Sequence, residues 1–135
     1  MALGNFELDI ARFVAKANGN INLVIRKIAL DLFSRVIMKT PVDEGRARGS
    51  WSVAIGAIPP DEVHVNDKDG SVTLARVAAA TLGLKAGDIV YMTSSLDYIK
   101  ALEYGHSKQA PAGMVRITVQ EFPGVVAKAA SEVPK

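Results

Sequence analysis

The densest group of ionisable side chains in the sequence is the stretch TPVDEGRARGSW, from Thr40 to Trp51, which holds Asp43, Glu44, Arg46 and Arg48 within twelve residues. Three kinds of chemistry use such a set. A carboxylate pair can do acid–base work, arginines can hold phosphate, and mixed charges can meet a neighbouring surface. Adjacent carboxylates do not converge on one substrate by spacing alone. A turn, a helix end or ion pairs with Arg46 and Arg48 is the simpler role for Asp43 and Glu44. Phosphate contact asks only for cations, so Arg46, Arg48 and Lys108 qualify, although the nearby carboxylates cancel part of the arginine charge. Trp51 can stack on a base, but its place in an alternating run points to the core.

Elsewhere the chemistry is thin. His64 and His106 stand singly in predicted loops, with no second ligand at metal-binding spacing. The turn DKDG, Asp67 to Gly70, has the look of a calcium loop but lacks the closing glutamate. Ser94 and Ser95 have no recognisable His/Asp partners, and neither GxxxxGK[ST] nor GxGxxG occurs. With no cysteine in the chain, disulfides, thiolate metal sites and cysteine nucleophiles are excluded. These residues predict a non-enzyme that needs no cofactor or metal.

The elements that position the charged stretch follow from periodicity. Apolar residues recur at three- and four-residue steps from Asn5 to Lys39, first Phe6, Ile10, Phe13, Val14 and Ala17, then Ile21, Val24, Ile25, Ile28, Leu32, Val36 and Ile37. This predicts a long N-terminal helix. Gly19, in ANGN, makes it either two helices or one bent helix, and Pro41 ends it. Leu23, Ala29, Leu30 and Phe33 widen its apolar face, which then needs more than one partner surface. Alternation over Gly49–Ala57 predicts a strand with Trp51, Val53 and Ile55 on one side. Residues 58–70 read as a loop, with a short extended piece at Val63–Val65 left open. Ser71–Gly83 reads as a helix capped by Ser71, with Val72, Val77 and Leu82 facing the core. A turn at 84–88, a strand at Ile89–Ser94, a short helix at 96–105 and a polar loop at 106–113 follow. The C-terminal helix should kink or restart at Pro123. The expected fold is therefore α+β in a single domain: a long N-terminal helix, a small mostly antiparallel sheet and a C-terminal helix packed on it.

A chain of 135 residues fits one domain with a true core. Its net charge of +2 is small, and no three basic residues are consecutive, which argues against a surface built for duplex DNA. The first ten residues lack the pattern of a signal peptide. No apolar run is long enough to predict a membrane span.

Two stretches together resemble a known family. TPVDEGRARGSW is similar to the Thr-Pro-Val-Asp-Thr-Gly-Arg-x-Arg-x-x-Trp segment of the neck proteins of long-tailed bacteriophages, also described as minor tail or tail-completion components. YIKALEYGHSKQAPAGMVRITVQEF, residues 98–122, is similar to the family's Tyr-x-x-x-Leu-Glu-Tyr-Gly turn, which leads through a polar loop into the final helix. Glu44 departs from the pattern, standing where the family has threonine or serine. The resemblance implies a structural virion protein at the head–tail junction, with no catalytic site. It would form a homo-oligomeric ring around the DNA channel between the connector or head-completion proteins and the tail. Contact with packaged DNA would then be non-specific, and no membrane would be involved. A tail terminator capping the tail tube is the alternative; a small DNA-binding regulator is a further one.

The residues give an independent reason for assembly. Two predicted strands are too few for a stable sheet alone, and they must pack on helices, gain a strand from 58–70 or join another copy. Asp43 and Glu44 of one copy would meet Arg46 or Arg48 of the next, or close within the subunit. The second polar loop adds His106, Lys108 and Gln109 as subunit-interface candidates.

Overall fold

The computed structural model describes residues 21–42, 45–59, 65–94, 96–105 and 107–132. The predicted helix over residues 5–20, with its break at Gly19, lies outside them. From Ile21 the helical pattern is realised as α1 (Ile21–Lys39). Pro41 follows two residues after its end, and Thr40 N–H closes the last turn on the Ile37 carbonyl at 3.1 Å. After one turn of helix, α2 (Arg46–Gly49), the chain enters β1 (Trp51–Ile55). Then come α3 (Ser71–Thr81), β2 (Val90–Ser94), the short α4 (Ile99–Glu103), and α5 (Val115–Gln120) with α6 (Phe122–Ser131).

The fold is α+β, with β1 and β2 forming a two-stranded antiparallel sheet in the register Trp51↔Ser94 to Ile55↔Val90. Gly49 and Ser50 belong to α2 and its end, so the strand is shorter than the alternation suggested. Pro123 falls in the first turn of α6, where its missing N–H costs nothing, and the terminal helix restarts there.

Helix α3 lies between β1 and α1, and α1 also packs on α5 and α6. The wide apolar face of α1 is thus partly covered from within the chain, on one side by α3 and on another by the C-terminal pair, while Leu23 stays exposed. The core is shared by Val36, Ile37, Trp51, Val77, Ala110 and Met114, with Val53 and Met92 of the sheet packed against it. Met114 brings the C-terminal segment to the sheet. At the surface, Glu121 accepts from Lys39 at 2.6 Å and from Arg35 at 3.3 Å, joining the end of α1 to the start of α6.

In α3 the inward face is not the predicted one. Val77 is buried, but Val72 and Leu82 are exposed, and Thr73 and Thr81 are buried instead. The cause is at the helix start. Ser71 is not the cap; Gly70, at φ +78°, precedes the helix and Ser71 is its first residue. Asp67 is buried, and its Oδ2 accepts from Thr73 N–H at 2.7 Å and from the Thr73 hydroxyl at 2.6 Å. Asp69 accepts from Ser71 N–H and hydroxyl at 3.0 and 2.8 Å. The DKDG turn is a helix start that turns Thr73 inward, and the helical phase then sets Val72 out.

Candidate functional site

The Thr40–Trp51 segment folds on itself. Thr40 is fully buried; its hydroxyl donates to the Val36 carbonyl at 2.7 Å and accepts from the Trp51 indole N–H at 2.9 Å. A buried indole N–H needs a partner, and the residue that follows α1 supplies it. Gly45 turns the chain at φ +86°, where a side chain would run into the backbone of Asp67 and Lys68. Its carbonyl accepts from Gly49 N–H at 2.9 Å and Asp67 N–H at 3.0 Å. A Cβ on Gly49 would overlap the Val65 carbonyl oxygen. Arg48 divides its guanidinium among three carbonyls: Nε to Thr40 at 3.1 Å, Nη1 to Lys68 at 2.7 Å and Nη2 to Met38 at 2.8 Å. This spreads the planar fork of arginine over the Met38 and Thr40 carbonyls at the end of α1 and the Lys68 carbonyl in the turn before α3. The segment is thereby a junction that fastens the end of α1, the start of β1 and the lead into α3.

The second segment is built around Glu103, the last residue of α4. Its carboxylate accepts from Met114 N–H at 3.0 Å, Val115 N–H at 2.8 Å, Arg116 N–H at 3.0 Å and Arg116 Nε at 3.0 Å. It therefore caps α5 from twelve residues upstream, where free amides favour an anion. Burial works to raise the Glu103 carboxyl. The amides of Val115, Arg116 and Met114, with the Arg116 guanidinium, outweigh it and hold the group below the usual glutamate range. Arg116 also donates to the Glu103 carbonyl, and its guanidinium lies 5.0 Å from the Tyr104 ring centre. Gly113, at φ +85°, leaves room for Glu103 where a Cβ would collide with it.

Gln109 joins the two segments. Its amide donates to the Val42 carbonyl at 2.9 Å and accepts from Val42 N–H at 2.8 Å, as a strand partner would. Between the segments lies a groove of about 280 Å³, floored by Pro41, Ala47 and Leu102, with Arg46, Tyr98 and Gln109 at its walls. Of the sequence-selected residues, the structure brings Arg46 and Gln109 together at this groove. Arg48 is turned away into the junction, and Lys108 is exposed beside Gln109. Asp43, Glu44 and His106 lie outside the described residues, as does His64. Sequence reasoning missed Thr40, Asp67 and Glu103 as organisers. Glu103 stood inside a quoted motif, but nothing local announces a cap for amides twelve residues away.

Thr40, Arg48, Glu103 and Gln109 each bind backbone. Ser94 Oγ lies 2.7 Å from Ser50 Oγ and accepts from Leu96 N–H. Among the described residues no three His, Cys, Asp or Glu side chains are grouped to hold a metal ion, and no helix is long and apolar enough to cross a membrane. Comparison with known protein families, curated proteins and solved structures gives no significant match to this chain.

Proposed function

We propose that this protein is a structural subunit of the head–tail junction of a tailed bacteriophage, assembling as a ring of identical copies around the DNA channel between connector and tail. The reading rests on two motifs that resemble the neck proteins in order and spacing, and on one observation about them. The side chains that make these motifs distinctive, Thr40, Arg48, Trp51 and Glu103, bind backbone or one another. They act as architecture and not as reagents. A carboxylate that accepts four hydrogen bonds and is held ionised is a poor general base, so the chain is read as a non-enzyme. Among the described residues of the first motif, Arg46, with the groove beside it, is the one that faces outward.

Deleting the gene in a phage that carries it should leave DNA-filled heads and tails unjoined, and imaging the complete particle should locate the subunit at the neck. Complete infectious particles without the protein would refute the reading. Tails of abnormal length beside normal heads would move it to a tail terminator. Tight duplex binding that weakens steeply with salt would instead indicate a DNA-binding regulator.

A further inference from the structure

The two edges of the sheet are unlike. Gly56 N–H donates to the Ile89 carbonyl at 2.7 Å, which carries the register one pair past Ile55↔Val90. In an antiparallel ladder, hydrogen-bonded pairs alternate with open ones. Ala54↔Tyr91 and Ser52↔Thr93 are therefore the bonded pairs, and the backbone groups of Trp51, Val53 and Ile55 turn away from β2 while those of Val90, Met92 and Ser94 turn away from β1. The β1 edge is guarded: α3 packs along the strand, and Arg76 donates to the Trp51 carbonyl at 2.7 Å. No described helix or strand packs along the β2 edge as α3 does along β1. Among the described residues, the outward N–H and C=O of Val90 and Met92 meet no partner. From Ile89 to Leu96 the sequence has neither a charge nor a proline, the two devices that ordinarily keep an edge from pairing. Exposed Asp88 and Asp97 bound this neutral run. Lys85 and Lys100 stand near them in sequence, yet neither aspartate is in an ion pair among the described residues.

We infer that the β2 edge is a docking site for an extended, uncharged segment of a partner protein, with a basic residue at each end, which adds as a third strand. The backbone sets the first part of this chemistry. Donors and acceptors recur along the edge at every second residue, about 6.6 Å apart, and another extended chain meets them in step. The side chains set the rest. Val90 and Met92 lie on one face and Tyr91 and Thr93 on the other, all half-buried, so the incoming strand meets neutral neighbours on both faces. Asp88 and Asp97 then favour cations at its two ends. The same carboxylates select against a second copy. Two β2 edges paired antiparallel about Met92 would bring Asp88 of each copy toward Asp97 of the other, with like charges at both ends of the ladder. A third strand also takes the sheet past the two-stranded minimum. The inference does not rest on the head–tail reading.

The probe is a capped peptide, Lys-Thr-Val-Thr-Val-Thr-Lys, with a twin that ends in glutamates, added to the full chain and read by amide hydrogen exchange in NMR. Without peptide, the Val90 and Met92 amides should exchange far faster than those of Tyr91 and Thr93, which bond to β1. The lysine-ended peptide, at about twice its dissociation constant, should slow Val90 and Met92 about threefold. Val90→Pro removes one outward donor and leaves the bonded pairs intact, so it should abolish the slowing at Met92. Asp97→Lys should weaken the lysine-ended peptide and favour its twin, by up to about fivefold, the range of an exposed ion pair. The inference is overturned if Val90 and Met92 are already slow in the free chain, or slow as its concentration rises, which would give the edge to a second copy. It is equally overturned if the lysine-ended peptide leaves both amides unchanged up to its solubility limit, or if the glutamate-ended twin binds as well. A Val90→Pro chain that folds and still binds would place the peptide elsewhere. Should that variant fail to fold, the wild-type exchange pattern and Asp97→Lys decide the matter.

Discussion

The indole N–H of Trp51 donates to the hydroxyl of Thr40 at 2.9 Å, eleven residues earlier in the chain, with both side chains buried. This bond fixes β1 against the end of α1 and sets the span of the charged segment between them. Thr40→Val keeps the shape and removes the acceptor, leaving a buried N–H unpaired at a cost of about 1–3 kcal/mol. Trp51→Phe costs more, since it also removes packed area in the core. The double variant should lose less than the sum of the two, because the orphaned donor is gone. Urea unfolding of the four proteins followed by circular dichroism measures this; strict additivity would show that the bond contributes nothing.

Gly49 tests the same junction from the backbone side. A Cβ there would overlap the Val65 carbonyl oxygen, which belongs to backbone and not to a flexible side chain. Gly49→Ala should therefore destabilise strongly, by about 2–4 kcal/mol or more. Gly87→Ala is the control: it carries the strain of a φ of +90° but has nothing within contact distance, so it should cost about 1 kcal/mol. Comparable losses at both glycines would remove the close approach at Gly49 as the cause.

The elements were largely legible in the sequence because their signals are local. Periodicity placed α1, α3 and both strands, and Pro123 marked the restart between α5 and α6. The errors lie where a distant partner decides. Val72 looked like a core residue until Asp67 took the amide and hydroxyl of Thr73 and turned that residue inward. The intrachain partners of Arg48 and Gln109, the carbonyls of Met38, Thr40 and Lys68 and the backbone of Val42, were equally invisible, and they leave the proposed interface role of both residues untouched. A polar side chain that binds backbone far along the chain has the same one-letter signature as one that faces solvent. The lone Arg46, two residues from Arg48, was distinguishable from it only by where α2 points each guanidinium.

Acidification should weaken the fold through Glu103. Its folded pKa lies below the unfolded value of about 4.3. Its contribution is therefore complete above the unfolded pKa and is lost as pH falls through the folded one. Glu121 shifts in the same direction, chiefly through its bond to Lys39, and adds to the loss. Stability by urea titration should be level near neutrality and decline from about pH 5 downward. Glu103→Gln should be about 2 kcal/mol less stable at pH 7, since an amide replaces a charged acceptor of four donors. Its stability should also fall less on acidification than that of the wild type. A variant with the wild-type slope would mean that Glu103 does not carry the acid sensitivity.

Arg46 and Arg48 have identical side chains and should answer to different assays. Arg48 donates to three carbonyls, and lysine cannot reach all three from one ammonium. Arg48→Lys should lower unfolding stability by about 1–3 kcal/mol, the cost of leaving carbonyls unpaired. Arg46 is exposed at the groove with Tyr98 and Gln109, and Arg46→Glu should leave stability within about 0.5 kcal/mol. If the outward arginine faces a neighbouring copy or a phage partner, Arg46→Glu should impair incorporation into particles while Arg48→Lys subunits that remain folded are still incorporated. An Arg46→Glu subunit that unfolds as readily as Arg48→Lys would place Arg46 among the internal contacts. One that folds and incorporates normally would remove it from the assembly surface.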